Sequence, residues 1–156
     1  DEVGAVVHVS FADPYCPTGR AAAATALAAN EIPHQLGGTL VVVNGPRFSS
    51  RAESVWHQAQ GWDIVGMTAM PEAAIARELA MCFTTIALVT DLDAGVEHGD
   101  GVTHDEVLAA FAENMPRFKA LIGDVVGRLP ESEPDDTADC ACRRALDGLT
   151  LPFPLP

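Results

Sequence analysis

An α/β fold with at least partly parallel strands is what this sequence predicts, and three observations predict it. Short apolar or β-branched runs alternate with longer helix-like segments along the 156 residues. Two of the helix-like segments open with capping-box spacing. Polar or acidic groups follow directly after each apolar run, where ligands gather beyond the carboxyl ends of strands in such sheets.

The elements follow in order. Pro17 to Asn30 is Ala-rich, opens with Pro and Thr and ends on Asn, which reads as a helix. Leu40 to Val43 is an apolar run after Gly37-Gly38, a buried strand. Ser50 and Glu53 have capping-box spacing and Gly61 offers a C-cap, so a helix spans 51–60. Ile64–Met67 is a second short strand, and Pro71 with Glu72 suits the first turn of a helix reaching Ala80. Cys82 to Val89 is β-branched and apolar, a further buried strand. Thr103 and Glu106 repeat the capping box and open a helix of about 25 residues, with Pro116 as the point where it could kink. Residues 130–150 are polar and irregular, and the chain closes on an apolar stretch, Leu151 to Pro156.

Composition narrows the function classes. The length fits one domain with a real core, and 48% apolar residues indicate a globular chain. The longest apolar run is far short of the ~20 residues of a membrane span. Asp1 follows neither a start Met nor a signal-like apolar stretch, so the expectation is a soluble, cytoplasmic protein that binds no membrane. The net charge of −13 repels polyanions and argues against nucleic-acid partners. The acidic excess concentrates at Glu131, Glu133, Asp135, Asp136 and Asp139, which reads as a solvated loop. Cys16 and Cys82 sit in apolar settings and read as ordinary buried thiols. No Cys pair or Cys/His set has zinc spacing, so no metal site is expected.

Three loops after apolar runs carry the candidate chemistry. The first reads Gly45-Pro46-Arg47-Phe48-Ser49-Ser50-Arg51-Ala52-Glu53-Ser54, the second Gly66-Met67-Thr68-Ala69-Met70-Pro71-Glu72, and the third Thr90-Asp91-Leu92-Asp93. Taken alone, Asp91 and Asp93 read first as a turn or cap pair after a strand. Phe48 could be a core aromatic, Thr68 an N-cap before Pro71, and His104 a solvated residue of a first helical turn. Arg47 and Arg51 read as structural partners of carboxylates such as Glu53.

Together, in this order and spacing, the loops resemble the methylthioadenosine phosphorylases of the trimeric branch of the purine nucleoside phosphorylases. The resemblance runs from about His8 to Leu108 and more loosely to the C-terminus. It implies a purine nucleoside phosphorylase-like mixed sheet flanked by helices. It also implies phosphorolysis of 5′-methylthioadenosine to adenine and 5-methylthioribose 1-phosphate in purine and methionine salvage. No cofactor is implied, inorganic phosphate being a co-substrate, and the expected assembly is a homotrimer or a dimer of trimers. Family members begin with a Gly-rich loop, an Arg-His pair and a Thr-Ala segment that supply most of the phosphate site. None of these occurs here. The chain is therefore expected to be the C-terminal part of a single phosphorylase domain.

Residue by residue, the resemblance assigns Asp91 to the acid near purine N7 and Asp93 to the acceptor of the exocyclic amine. Phe48 covers the purine face, Ser49, Val65 and Gly66 line the pocket, and Met67 lines the ribose. Thr68 supplies a hydroxyl to phosphate. His104, Leu108 and, from across a subunit interface, His8 border the 5′ pocket. Relatives acting on 6-oxopurines carry Asn for the first Asp and Glu-Thr after Gly-Pro-x-Phe. Asp91 and Ser49 thus resemble the 6-aminopurine version. Gly66 and His104 depart from the animal members, which leaves open adenosine, other 5′-modified deoxyadenosines or 6-oxopurine nucleosides as substrates. Hydrolysis in place of phosphorolysis, and a non-catalytic product if the chain is complete, are the competing expectations. Some archaeal members carry a Cys-x-Cys disulfide near Cys140 and Cys142. Here such a bond competes with two free thiols in an acidic loop.

Overall fold

The computed structural model describes residues 6–94, 101–130, 140–152 and 154. Along them run α1 (Pro17–Ala29), β1 (Leu40–Val42), α2 (Arg51–Ala59), β2 (Ile64–Gly66), α3 (Glu72–Glu78) and α4 (His104–Gly127). The expected α/β alternation is present, and β1 and β2 pair in parallel with Val41 opposite Val65. Parallel neighbours need a crossover, and α2 supplies it. Thr39 O accepts from Asp63 N and Ile64 N at one end of the ladder, and Val43 N donates to Gly66 O at the other.

The predicted caps are built. In α2 the Ser50 hydroxyl accepts from Glu53 N while the Glu53 carboxylate accepts from Ser50 N at 2.7 Å. Thr103 and Glu106 do the same for α4. Gly61, just past α2, has φ +71°, a conformation that costs glycine little.

Helices α1 and α4 form the main core. Ala22, Ala23 and Ala26 pack on Leu121 and Val125, with Leu27, Ile32 and Ile86 at the margin. Asn30 Nδ2 ties the two helices, donating to Ala26 O and to Asp124 Oδ2 at 2.8 Å each. Gly19 lies so close to Thr84 that a Cβ there would collide with the Thr84 side chain. Many of the largest apolar side chains, including Trp56, Ile75, Met81, Val89 and Leu92, lie exposed. No helix of the described residues is long and apolar enough to cross a membrane. A shallow hollow lined by Thr18, Ala22, Thr25, Arg128 and Pro130 contains none of the candidate residues.

Two expectations are corrected here. Residues 82–89 form no strand: β1 and β2 make up the sheet of the described residues. A strand needs a neighbour's backbone beside it, and among the described residues this segment's backbone bonds only with Cys16 N, which donates to Phe83 O at 2.7 Å. Nor is the segment uniformly buried. Val89 is 66% exposed and Cys82 is exposed as a residue. The acidic run 131–139 lies outside the described residues, as does residue 153 with the two final positions of the apolar tail.

Candidate functional site

Because β1 and β2 are parallel neighbours, the loops that follow them leave the sheet at the same end. They touch there. A Cβ on Gly45 would lie 2.9 Å from Met67 Sδ, so the Met67 side chain occupies the space that the missing side chain leaves free. Both loops contain a cis proline, at Gly45–Pro46 and Met70–Pro71.

Phe48 is 38% exposed, so its ring is presented at the surface and the core-aromatic reading is set aside. Beside it Ser49 is buried, and its hydroxyl has no hydrogen-bond partner among the described residues. An orphaned buried hydroxyl is costly, which makes this atom a candidate for a ligand contact. Arg47 has the expected structural role. Its Nη1 and Nη2 donate to Glu53 Oε2 and Oε1 at 2.8 and 2.7 Å, and Nη1 also reaches Phe48 O. The hydrogen bonds from Arg47 and then from Ser50 hold the Glu53 carboxyl down at about 2. The fork thus braces the backbone at Phe48 against the first turn of α2.

Val65 is half-buried within β2, and Gly66 ends the strand. Thr68 is exposed and is not a helix cap: Pro71 holds that place in α3 without a side-chain cap bond. The turn into α3 closes through the backbone, Ala73 N donating to Ala69 O at 3.0 Å, so no hydroxyl is needed there.

The acidic pair is ordered by its own turn. Asp91 Oδ2 accepts from the Thr90 hydroxyl at 2.6 Å and Oδ1 accepts from Asp93 N at 2.8 Å, while Asp93 adopts φ +60°. This is an Asx-type turn. Both side chains are half-buried, and each Asp91 oxygen keeps a second lone pair for another donor. The turn reading and the site reading therefore coexist in one geometry.

His104 is the first residue of α4 and is exposed. Leu108, one turn later and on the same face, is 51% exposed. His8 is exposed on the segment before α1. Among the described residues, no hydrogen bond joins the Asp91–Asp93 turn, His8 or His104 to the first two loops. Residues 95–100, which complete the third loop, lie outside the described ones.

The cysteines depart most from expectation. Cys16, Cys82, Cys140 and Cys142 are all free, and their sulfur atoms lie within 4.8 Å of one another. Cys140 and Cys142 are buried and not in a solvated loop. The four thiols converge from distant segments, with Cys140-x-Cys142 as the one local pair among them. Cys82 is exposed as a residue, yet its thiol faces the cluster. Loss of solvent there, then the hydrogen bond to Cys140, pushes it up to about 12. Burial raises Cys140 too, but hydrogen bonds from the Cys142 backbone and from the neighbouring thiols outweigh it and hold this thiol at about 7.

Known proteins resemble this chain along most of its length. Residues 1–127 match the model of the phosphorylase superfamily. A purine nucleoside phosphorylase of Streptomyces coelicolor is 58% identical over 151 residues, covering 97% of this chain and 53% of that protein. An S-methyl-5′-thioadenosine phosphorylase of Mycolicibacterium smegmatis is 50% identical over 153 residues, covering 96% of this chain and 54% of its own. The crystal structure of a methylthioadenosine phosphorylase from an antarctic soil metagenomic library superposes with a TM-score of 0.77 at 34% identity, over 92% of this chain and 50% of that one. The methylthioadenosine phosphorylase of Schistosoma mansoni in complex with adenine gives 0.76 at 30% identity, over 85% and 52%. The fold is that of a nucleoside phosphorylase-type α/β domain. The chain belongs to the phosphorylase superfamily, and it spans about half the length of the curated relatives it matches.

Proposed function

We propose that this chain forms the nucleoside-holding part of an enzyme that cleaves 5′-methylthioadenosine with inorganic phosphate. The observation that carries the reading is the seating of Met67 on Gly45, which sets an exposed Phe48 and an unpartnered Ser49 hydroxyl on a loop adjoining β2's end. An aromatic face and an orphan hydroxyl suit a flat heterocycle carrying polar edges. Relatives named for methylthioadenosine and for purine nucleosides support the substrate class.

In this reading a phosphate oxygen attacks C1′ as the bond from C1′ to purine N9 breaks, and the bonding pair leaves on the purine. Asp91 is the acid at N7 that assists departure of the purine, help worth roughly 10²–10⁴ in rate. Asp93 accepts from the exocyclic amine. Against a 6-oxopurine it would face another acceptor, an unpaired contact of about 1–3 kcal/mol. Thr68 donates its hydroxyl to phosphate, and the remaining phosphate ligands come from segments outside residues 1–156. Val65, Gly66 and Met67 line the sugar, with His104, Leu108 and a neighbouring subunit's His8 at the 5′ side. The assembly this requires is a homotrimer, and the compartment is the cytoplasm.

The test, made on protein that includes the segments completing the phosphate site, is turnover of methylthioadenosine against phosphate concentration, followed by Asp91→Asn. Adenine release that needs phosphate, with kcat falling about 10²-fold or more in the variant, is the expected result. Release independent of phosphate would assign hydrolysis. A change confined to KM would remove the acid role from Asp91. The 156-residue chain alone is expected to show no phosphorolysis, since Thr68 by itself cannot hold a doubly charged oxyanion.

A further inference from the structure

Four thiols from three separate segments meet at one point. Cys16 lies at the N-cap of α1, Cys82 opens the irregular segment after α3, and Cys140 and Cys142 belong to a run of turns near the end of the chain. Cys140 Sγ lies 3.4 Å from Cys16 Sγ and 3.3 Å from Cys82 Sγ, and all four sulfur atoms fall within 4.8 Å of one another. Four sulfurs at about 2.3 Å from a central cation form a tetrahedron with edges of about 3.8 Å. The observed separations bracket that edge.

A second observation points the same way. Arg77 is buried at 9% exposure, and no carboxylate pairs with it among the described residues. Its Nη2 donates to Asp13 O and lies 4.0 Å from Cys142 Sγ. A buried guanidinium without a counter-charge is costly. Around a divalent cation, four thiolates leave a net charge of −2, and Arg77 offsets part of it from the adjoining layer. The N-terminus of α1 at Cys16 places its positive end at the same cluster.

We propose that Cys16, Cys82, Cys140 and Cys142 form a tetrathiolate site for a borderline-soft divalent cation of the zinc class. All four positions are filled by protein, so the site is closed and its role is structural. Binding releases the thiol protons to solvent and leaves every sulfur reduced. The cation clips the turns at 140–148 to the start of α1 and to residue 82. Tetrahedral sulfur-only ligation selects zinc or iron over magnesium or calcium.

The experiment uses the protein purified without chelator, with elemental analysis for metal and cobalt(II) as the spectroscopic probe. One equivalent of zinc per chain is expected, released as a mercurial titrates four thiols. Cobalt exchange should produce the sulfur-to-metal charge-transfer band and visible bands of a tetrahedral tetrathiolate. A chelator should lower the Tm and added zinc restore it. Cys140→Ser/Cys142→Ser should lose the metal and the cobalt spectrum. Arg77→Leu, which keeps all four ligands, should retain cobalt binding with weakened affinity. A metal-free protein whose denatured mass is lower by the hydrogens of one or two disulfides would overturn the proposal. Four free thiols that give no cobalt thiolate spectrum would overturn it equally, and both readings come from the unmutated chain.

Discussion

Arg47 grips Glu53 at two points while the same carboxylate closes the capping box of α2, so one side chain fastens a loop to a helix. The fold lowers the Glu53 carboxyl from 4.5 to about 2, and that fixes the direction of its pH dependence. Its contribution to stability is fully present above pH 4.5 and is lost as pH falls through about 2. Glu53→Gln should therefore lower the Tm at neutral pH, and its gap to the unmutated protein should close near pH 2. Melts followed by the fluorescence of Trp56 and Trp62, whose rings meet edge-on at 5.0 Å beside α2, measure this. A gap of constant size across that range would remove Glu53 from the account.

Ser49 separates stability from binding. Its hydroxyl is buried without a partner among the described residues, so Ser49→Ala should leave the free protein as stable or more stable by about 1 kcal/mol. The same variant should bind nucleoside more weakly. Urea unfolding with and without adenine tests both halves, and a loss of stability in the free protein would mean the hydroxyl already has a partner.

Gly19→Ala should destabilise the protein by about 1–3 kcal/mol, because the added methyl meets the Thr84 side chain where α1 turns its face to the irregular segment. Thr84→Ser with Gly19→Ala should recover little, since the clash is with Oγ1 itself; Thr84→Ala should recover most of it. Equal rescue by both would locate the strain elsewhere.

How far the sequence could be read depends on how local each signal was. Helices α2 and α4 were legible because the two partners of each capping box lie only three residues apart, and the structure builds both boxes as hydrogen bonds. β1 and β2 were legible from apolar runs and punctuating glycines. Residues 82–89 have the composition of a strand, but composition cannot supply the neighbour that makes a ladder. The same limit explains the thiols. Cys16 and Cys140 touch across 124 positions, and no window of sequence contains both. The first two loops of the candidate site were readable, since each sits directly after its strand; the seating of Met67 on Gly45 was not, because it depends on pairing register.

Asp93→Asn should narrow the preference for aminopurines, since the new amide can donate to a purine O6. The ratio of kcat/KM for methylthioinosine over methylthioadenosine should rise in that variant. An unchanged ratio would take Asp93 out of the base pocket.

His104→Val concerns the other end of the substrate. An imidazole N–H can hydrogen-bond a 5′-hydroxyl for about 0.5–1.5 kcal/mol but gains little from a thioether. The kcat/KM ratio of methylthioadenosine over adenosine should rise about 2- to 12-fold on substitution. No change would mean that His104 only decorates the first turn of α4.

The main helical core is built from alanines with one leucine and one valine, while Trp56, Ile75, Met81, Val89 and Leu92 remain in water. Heat capacity follows apolar surface. Unfolding this chain on its own should therefore show a heat-capacity increment well below the about 2 kcal/mol/K usual for 156 residues. Whatever surface comes to cover those side chains should do so with a large negative heat-capacity change, readable by calorimetry at two temperatures.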